Sequence, residues 1–524
     1  MLRTRLALLV VLARFCAAAQ TPFTYALDQD TNVNVTRPRV FERIAPDLYR
    51  VLGGSGNSDS SWTYCADMDA SGAITNMRTM RCGVNTSSAM PTCIIRTTDG
   101  GALTAFAPPV VGTNAYAFVR TDANGDVLWY RDYSDVFGQL MLDSDRGLVE
   151  KDGHYFTFGR VTSVPPNEGS ASTMVELDSV GTCVVQRIWA GDDVWSNVGH
   201  GMVRTAANGL LTVSVENPYS SNSSYPNLSV QHWNAALQVE WSNRYSLGYL
   251  HSVVRPMATG DGGSLIMGVV YPTNTSPGSA FFLRLDAAGQ VLWARLHDTG
   301  LTPNGAVEEP DGDFAVTFFK GGEVPVVARL DSDGALISAQ RATGFNAGVL
   351  AWGIARDSIT GEHLVRASGG PQNTTYLLRL DSALAFACES TPTTWADSLV
   401  TPSVTPFPVT VTTSQLASAD TIWASHPKPF TTENACLATV VPEAIRPQLQ
   451  VWPVPADDVV HVAWSNMPAT TISYTLLDAT GRVVRQGSTS SSSAFTMDMR
   501  QLGTGTYVLR MEGAGLVRVV RVVK

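Results

Sequence analysis

The chain lacks the usual marks of an enzyme. It contains no HExxH pattern and no GxSxG nucleophile elbow, which removes the commonest zinc-protease and serine-hydrolase signatures. No cysteines form a CxxC pair or a Cys/His cluster at zinc spacing, so a structural metal is not expected. No segment reaches 18 uninterrupted apolar residues, and no transmembrane helix is expected. Histidine is scarce, with 8 in 524 residues, and scattered. Positive charge is short as well. Residues 20–445 carry 25 basic against 41 acidic side chains, a balance of −16, whereas 446–524 carry 8 against 5, or +3. A body this acidic argues against nucleic acid or an anionic membrane as partner.

What the chain has is turn chemistry. It holds 44 Gly and 28 Pro with 44% hydrophobic residues, the composition of a globular, turn-rich β protein. At the N-terminus Arg3 and Arg5 precede an apolar run over 6–13, and Ala17-Ala18-Ala19 offers a cleavage site before Gln20. Residues 1–19 therefore read as a secretory signal peptide. Arg14 makes the surroundings of Cys16 a poor lipoprotein site. Six cysteines remain after cleavage: Cys65, Cys82, Cys93, Cys183, Cys388 and Cys436. An even number in an exported chain suggests disulfides. Cys388 and Cys436 flank a Thr-, Ser- and Pro-rich segment and are expected to pair, a bond worth about 4 kcal/mol on the chain-entropy model. Cys82 with Cys93 is the second expectation.

One unit recurs along residues 20–390: an apolar strand, a turn on Asp-x-x-Gly, and a second apolar strand. Its first turn residue falls at Asp69, Asp122, Asp178, Asn234, Asp286, Asp331 and Asp381, at intervals of 53, 56, 56, 52, 45 and 50. Gly follows three positions later in five copies, and Leu237 and Leu384 replace it in the other two. Asp caps such a turn, and Gly accepts the positive φ. A second turn interleaves, with Gly100, Gly153, Gly209, Gly262, Gly312 and Gly361. Two hairpin turns per period give a four-stranded antiparallel unit, the repeat of a β-propeller. Seven anchors predict seven blades, with six to eight compatible with the degenerate N-terminal copy. Residues 391–445 are Thr/Pro-rich and are expected either to close the last blade or to form a linker. The repeats resemble the propeller repeats of exported Bacteroidetes proteins, which read Leu-x-Lys/Arg-Leu-Asp-x-x-Gly-x-x-x-Trp. Arg120, Arg284, Arg329 and Arg379 fill the basic position. The resemblance implies fold, not activity.

The segment 446–524 has its own pattern. It opens on Trp452-Pro453-Val454-Pro455, turns at Asp478-Ala479-Thr480-Gly481-Arg482, and continues through Leu502, Gly505 and Tyr507 to a basic, β-branched end at Lys524. This resembles the C-terminal sorting domain of type IX secretion cargo, with Val454 where the family has Asn. The resemblance implies Sec-type export, recognition by the type IX machinery in the outer membrane, cleavage of the domain, and an extracellular or cell-surface destination. Strand-like runs over 459–464, 471–477, 506–511 and 517–523 independently predict a small Ig-like β-sandwich. The expected fold is therefore all-β, a propeller followed by that sandwich.

Candidate chemistry is sparse. Trp129, Trp241 and Trp293 stand seven residues after their anchors, a spacing similar to the docking motif of quinoprotein dehydrogenases. Packing between units is the simpler reading. Residues 28–34 alternate oxygen side chains as a calcium loop does but lack its Gly and distal Glu, so no cofactor is expected, with calcium as the alternative. Asp122 to Asp126 is better explained by its repeat turn. The carboxylate pairs Glu308-Glu309 and Asp192-Asp193 could serve a glycosidase only if the fold made them face a partner. His200, in a Gly-flanked stretch, lies within two neighbouring repeats with His232 and His251. With Trp195, Tyr219 and Tyr225 these form the candidate binding face. No catalytic residue is assigned. The expected function is a binding or adhesion module for glycan or protein, and the competing reading is a polysaccharide hydrolase or lyase with an axial cleft.

Overall fold

The computed structural model describes residues 23–28, 35–56, 61–82, 91–106, 115–134, 140–141, 147–164, 169–189, 194–218, 227–247, 250–271, 278–298, 300–319, 324–343, 348–357, 360–369, 374–386, 390–414, 417–420, 424–426, 431–434, 448–452, 459–465, 471–479, 481–490, 494–513 and 516–524. The signal segment 1–19, the cysteines Cys388 and Cys436, and residues 29–34 of the calcium-like stretch lie outside them, as do Tyr219, Tyr225, Asp192, Asp193, Pro453 and Pro455. The chain divides into two compact units, Met1–Cys436 and Leu437–Lys524. All regular structure among the described residues is β-strand, and no helix there is long and apolar enough to cross a membrane.

Among the described residues, seven antiparallel four-stranded units make up the larger part. The first comprises Val35–Ala45, Leu48–Gly56, Ser61–Asp69 and Ile74–Cys82. Five more follow over 91–134, 140–189, 194–246, 250–297 and 302–342. In the third unit the first strand is divided into Leu140–Met141 and Leu148–Lys151, both pairing with His154–Val164. The seventh takes three strands from 349–380 and its fourth, Phe23–Asp28, from the N-terminal end. That pairing joins the two ends of the array through backbone hydrogen bonds. First strands pack against the neighbouring units, and the contacts run in cyclic order, with the seventh unit meeting Val35–Ala45 of the first. Apolar clusters sit between successive units, as where Leu265, Phe282, Phe314 and Val326 join the fifth and sixth.

Residues 390–434 do something the sequence did not suggest. Rather than serving one unit, they form a strap that adds a fifth antiparallel strand to all seven. Ser390–Thr393 pairs with Leu336–Ala342, Asp397–Leu399 with Val291–His297, and Ser403–Pro406 with Val239–Ser246. Thr412–Ser414 then pairs with Cys183–Trp189, Ala417–Asp420 with Val127–Ser134, and Ala424–His426 with Ile74–Cys82. Thr431–Asn434 finishes on Phe23–Asp28. The strap thus visits the units against their order in the chain. Each outer strand would otherwise present unpaired backbone groups to solvent and to other chains. Pro and Thr suit the strap: Pro406 ends its third strand, and Thr favours the extended conformation. Apolar anchors fix it. Phe407 is buried under the Arg244 guanidinium at 4.7 Å, and Trp395 donates to Nδ1 of His297 at 2.9 Å.

Cys65, Cys93 and Cys183 are buried. The side chain of Cys82, the partner expected for Cys93, lies outside those described. Cys93 lies in the cluster of Leu103, Phe118 and Val175, where the strand directs it into the core.

In Leu437–Lys524, one three-stranded sheet (Gln448–Trp452, Val459–Ser465, Ala494–Asp498) and one four-stranded sheet (Val483–Ser490, Thr471–Leu477, Thr506–Gly513, Leu516–Val523) share a core of Val460, Val462, Leu476, Met497, Leu509 and Val522. The four strand-like runs seen in the sequence are all present.

Candidate binding site on the first strands

The repeat turns come first, because they place everything else. The Oδ1 of Asp122 accepts the amides of Asn124 and Asp126 at 2.8 and 2.9 Å, and Asp178, Asp286, Asp331 and Asp381 repeat this geometry. Capping the turn is thus the work of these carboxylates. Leu237 and Leu384 take the left-handed conformation at φ 60° and 63° where the other copies use Gly. In the second turn of the fourth unit, Asn208 rather than Gly209 takes the positive φ. Gly209 instead permits close approach to the Trp233 carbonyl.

The three spaced tryptophans each reach the next unit. Nε1 of Trp129, Trp241 and Trp293 donates to the carbonyls of Ser179, Ala287 and Ser332 at 2.9, 3.0 and 2.9 Å. Each carbonyl belongs to the neighbouring Asp-x-x-Gly turn, and each indole covers that turn's glycine. Tyr133 and Tyr245, four residues on, donate to the carbonyls of Gly181 and Gly289. The arrangement is the inter-unit packing expected of these side chains. The basic repeat position is also structural: Arg120 pairs with Asp99, Arg284 with Asp261, Arg329 with Asp311 and Asp313, and Arg379 with Glu362. These acids lie in the second turn of the same unit. Glu308 accepts the Gly260 amide at 2.6 Å, while Glu309 contacts His363 and Arg356. This carboxylate pair ties adjacent turns together.

A different feature stands on the first strands. Six of the seven carry a β-bulge, and the extra residue is Arg39, Thr92, His200, Asn304 or Trp352 in five units, with Val253 and Val254 opposite Gly268 in the fifth unit. Bulges bend a strand and re-aim a side chain. Gly follows the bulge at Gly201, Gly305 and Gly353. Asn304 Nδ2 donates to the Ala351 carbonyl at 2.7 Å, and the Arg39 guanidinium lies 5.8 Å from the Trp352 ring. Bulged residues of adjacent units therefore meet.

The strongest convergence surrounds His200. Its flanking glycines admit the neighbouring backbones: a Cβ at Gly199 would collide with the Gly159 carbonyl, and one at Gly201 would lie 2.5 Å from Cδ of Pro256. Arg160 adjoins Gly159 in the third unit, and Arg255 adjoins Pro256 in the fifth. Burial, reinforced by the charges of Arg255 and Arg160, lowers the His200 pKa to about 4. The imidazole is thus neutral at pH 7 and offers one N–H donor.

Of the other candidate residues, His232 is buried, stacks on Trp241 at 5.6 Å and meets Glu240 at 2.9 Å through Nδ1. It belongs to the packing of strands Asn227–Trp233 and Val239–Ser246. Trp195 and His251 lie on the first strands of the fourth and fifth units. Sequence reading singled out His200 but missed Arg160 and Arg255. The Gly-His-Gly triplet was the available signal. Among the described residues no group of three or more His, Cys, Asp or Glu is placed to hold a metal ion.

In the smaller unit, Asp478 accepts the Arg482 amide and side chain at 3.0 and 3.2 Å, Tyr507 donates to the Gly503 carbonyl at 2.6 Å, and Lys524 Nζ caps the carbonyls of Met499 and Leu502. The motif residues therefore build the domain's turns and its last strand. Residues 450–524 match the secretion system C-terminal sorting domain family. The chain carries the tail of type IX secretion cargo, and this tail marks it for export to the extracellular space or cell surface. No curated protein matches the chain. Among solved structures, Sqt1 from Chaetomium thermophilum is similar at 11% identity and TM-score 0.35, over 66% of this chain and 87% of that one. A putative exo-β-1,3-galactanase from Bifidobacterium bifidum s17 is similar at 11% identity and TM-score 0.27, over 54% and 95%.

Proposed function

We propose that the chain is an exported binding module whose seven units are the blades of a seven-bladed β-propeller, followed by an Ig-like sandwich that the secretion machinery reads and removes. Cyclic contacts and the pairing of Phe23–Asp28 with Thr374–Leu380 support the propeller. The observation that carries binding is the row of bulged residues on the first strands, held on a frame braced by inter-unit Trp contacts and by the strap. Rigid scaffolds that converge several loops or strands are where proteins hold ligands.

Hydrolysis of a glycan would need two carboxylates facing each other across the substrate, about 5–9.5 Å apart. The carboxylates on the described first strands are already engaged: Glu42 pairs with Arg96 at 3.0 Å, Glu150 accepts the Thr98 amide and hydroxyl, and Glu308-Glu309 make turn-to-turn contacts. This favours binding. The segment 217–226, with Tyr219 and Tyr225 outside the described residues, is a second candidate contact region for glycan or protein. The test is a glycan array run beside a polysaccharide-hydrolysis panel, both with the exported protein. Ligand retention without release of reducing ends is expected; catalytic release would overturn the reading.

A further inference from the structure

We propose that His297 is a pH-sensitive latch for the strap: protonating its ring releases Trp395 and frees residues 390–399 from the fifth and sixth units.

The hydrogen bonds fix the tautomer. An indole N–H only donates, so the 2.9 Å contact from Trp395 Nε1 makes His297 Nδ1 an acceptor. The ring proton therefore sits on Nε2, which donates to the Gly334 carbonyl at 3.0 Å. Both ring nitrogens are thus engaged, and the side chain is fully buried. A second proton has only Nδ1 to go to, where it points at the indole N–H. Two donors then face each other away from water, and one partner must leave. Gly334 belongs to a turn held by the Asp331 carboxylate. Trp395 stands between two strap strands of only four and three residues, so it is the partner that yields.

The surroundings oppose the charge. Phe282 lies edge-on to the imidazole at 5.0 Å, and Trp395 packs edge-on against Phe318 at 5.3 Å. The charged groups acting on the ring are Asp397 on the strap and Arg295 on its own strand, and these two bind each other. On the adjacent turn, Asp331 is occupied by the amides of Asp333 and Ala335, and Asp333 is exposed. Burial is the largest influence and lowers the His297 pKa; Asp397 raises it and Arg295 adds to the lowering.

The direction of the switch follows from linkage. With the strap lifted, His297 meets water and regains an ordinary pKa of about 6.5. The open state then binds the proton more tightly than the closed one. Opening is favoured as pH falls below about 6.5 and levels off at the depressed value of the closed state. It strips Val291–His297 and Leu336–Ala342 of their fifth strand, leaving two edges free to pair with other extended chains.

The test is hydrogen exchange of the exported protein between pH 7.5 and pH 5, with rates corrected for the intrinsic effect of pH. Protection of residues 390–399 is compared with that of Thr412–Ser414, a strap strand with no His in it or in its partner Cys183–Trp189. Protection of 390–399 should fall by up to about tenfold per pH unit below about pH 6.5, and by at least about threefold at pH 5. The control strand should stay level. His297→Gln does not titrate and should abolish this pH dependence whatever its starting protection. Trp395→Phe removes the opposing N–H and should shrink it. A parallel fall in both strap strands, no fall in either, or an unchanged profile in a folded variant would overturn the latch. If neither variant folds, the comparison of the two strap strands in the wild type decides.

Discussion

Truncating Phe407 to Ala should loosen the strap and cost about 3 kcal/mol, the lower end of the 3–5 kcal/mol seen for fully buried Phe. The side chain is 2% exposed, lies under the Arg244 guanidinium at 4.7 Å, and follows the strand Ser403–Pro406. Burial of the ring supplies most of the effect, and the lost cation–π contact adds about 0.5–1 kcal/mol. A three- or four-residue edge strand relaxes more readily than a core strand, which argues for the lower figure. Val404, 41% exposed on the same strand, provides the control, because V404A should shift stability by no more than about 0.5 kcal/mol. The assay is denaturant unfolding of the mature protein, with the transition of the larger unit followed separately from that of Leu437–Lys524. Hydrogen exchange adds a local readout: amides of residues 403–405 and of their partner strand Val239–Ser246 should lose protection first. If F407A and V404A lie within about 1 kcal/mol of each other, the strap does not brace the units as described.

Gly289→Ala should destabilise more than Gly153→Ala, although both glycines have similar φ, 78° and 77°. Only the first would push a Cβ to 2.9 Å from Trp241, so thermal melts should separate them by about 1–3 kcal/mol beyond the shared backbone strain of about 1 kcal/mol. The Arg284 guanidinium, opposed by partial burial and helped by the Thr259 hydroxyl and Gly263 amide, holds the Asp261 pKa at about 2. A depressed carboxyl contributes stability above its unfolded pKa of about 3.9 and loses it as pH falls, so the stability difference between wild type and D261N should shrink between about pH 4 and pH 2. Burial raises the Cys65 thiol to about 11, and this residue should resist thiol reagents in the native protein and react once denaturant unfolds it. Deleting residues 449–524 should leave the chain in the periplasm by cell fractionation; normal surface delivery would contradict its role as the sorting domain.

Local chemistry was legible and long-range pairing was not. All seven Asp- or Asn-led turns form where the repeat placed them, because each depends on residues within four positions. Glycine failed as a marker at Leu384, which is 3% exposed; its packing offsets a left-handed strain of about 1–2 kcal/mol. The strap escaped notice because its strands are three or four residues long and mostly exposed, so they carry little alternation. Their partners lie far away in the sequence and in reverse order. His200 was visible as a Gly-flanked histidine, but Arg160 and Arg255 join it only through packing between units. The tail was legible because its turn, its tyrosine and its final lysine serve one small domain.

The most direct measurement is a crystal structure of the exported protein grown with a glycan that it retains on the array. The account predicts an intact ligand seated on the bulged first strands of the units. A cleaved ligand, or one bound away from the first strands, would contradict it.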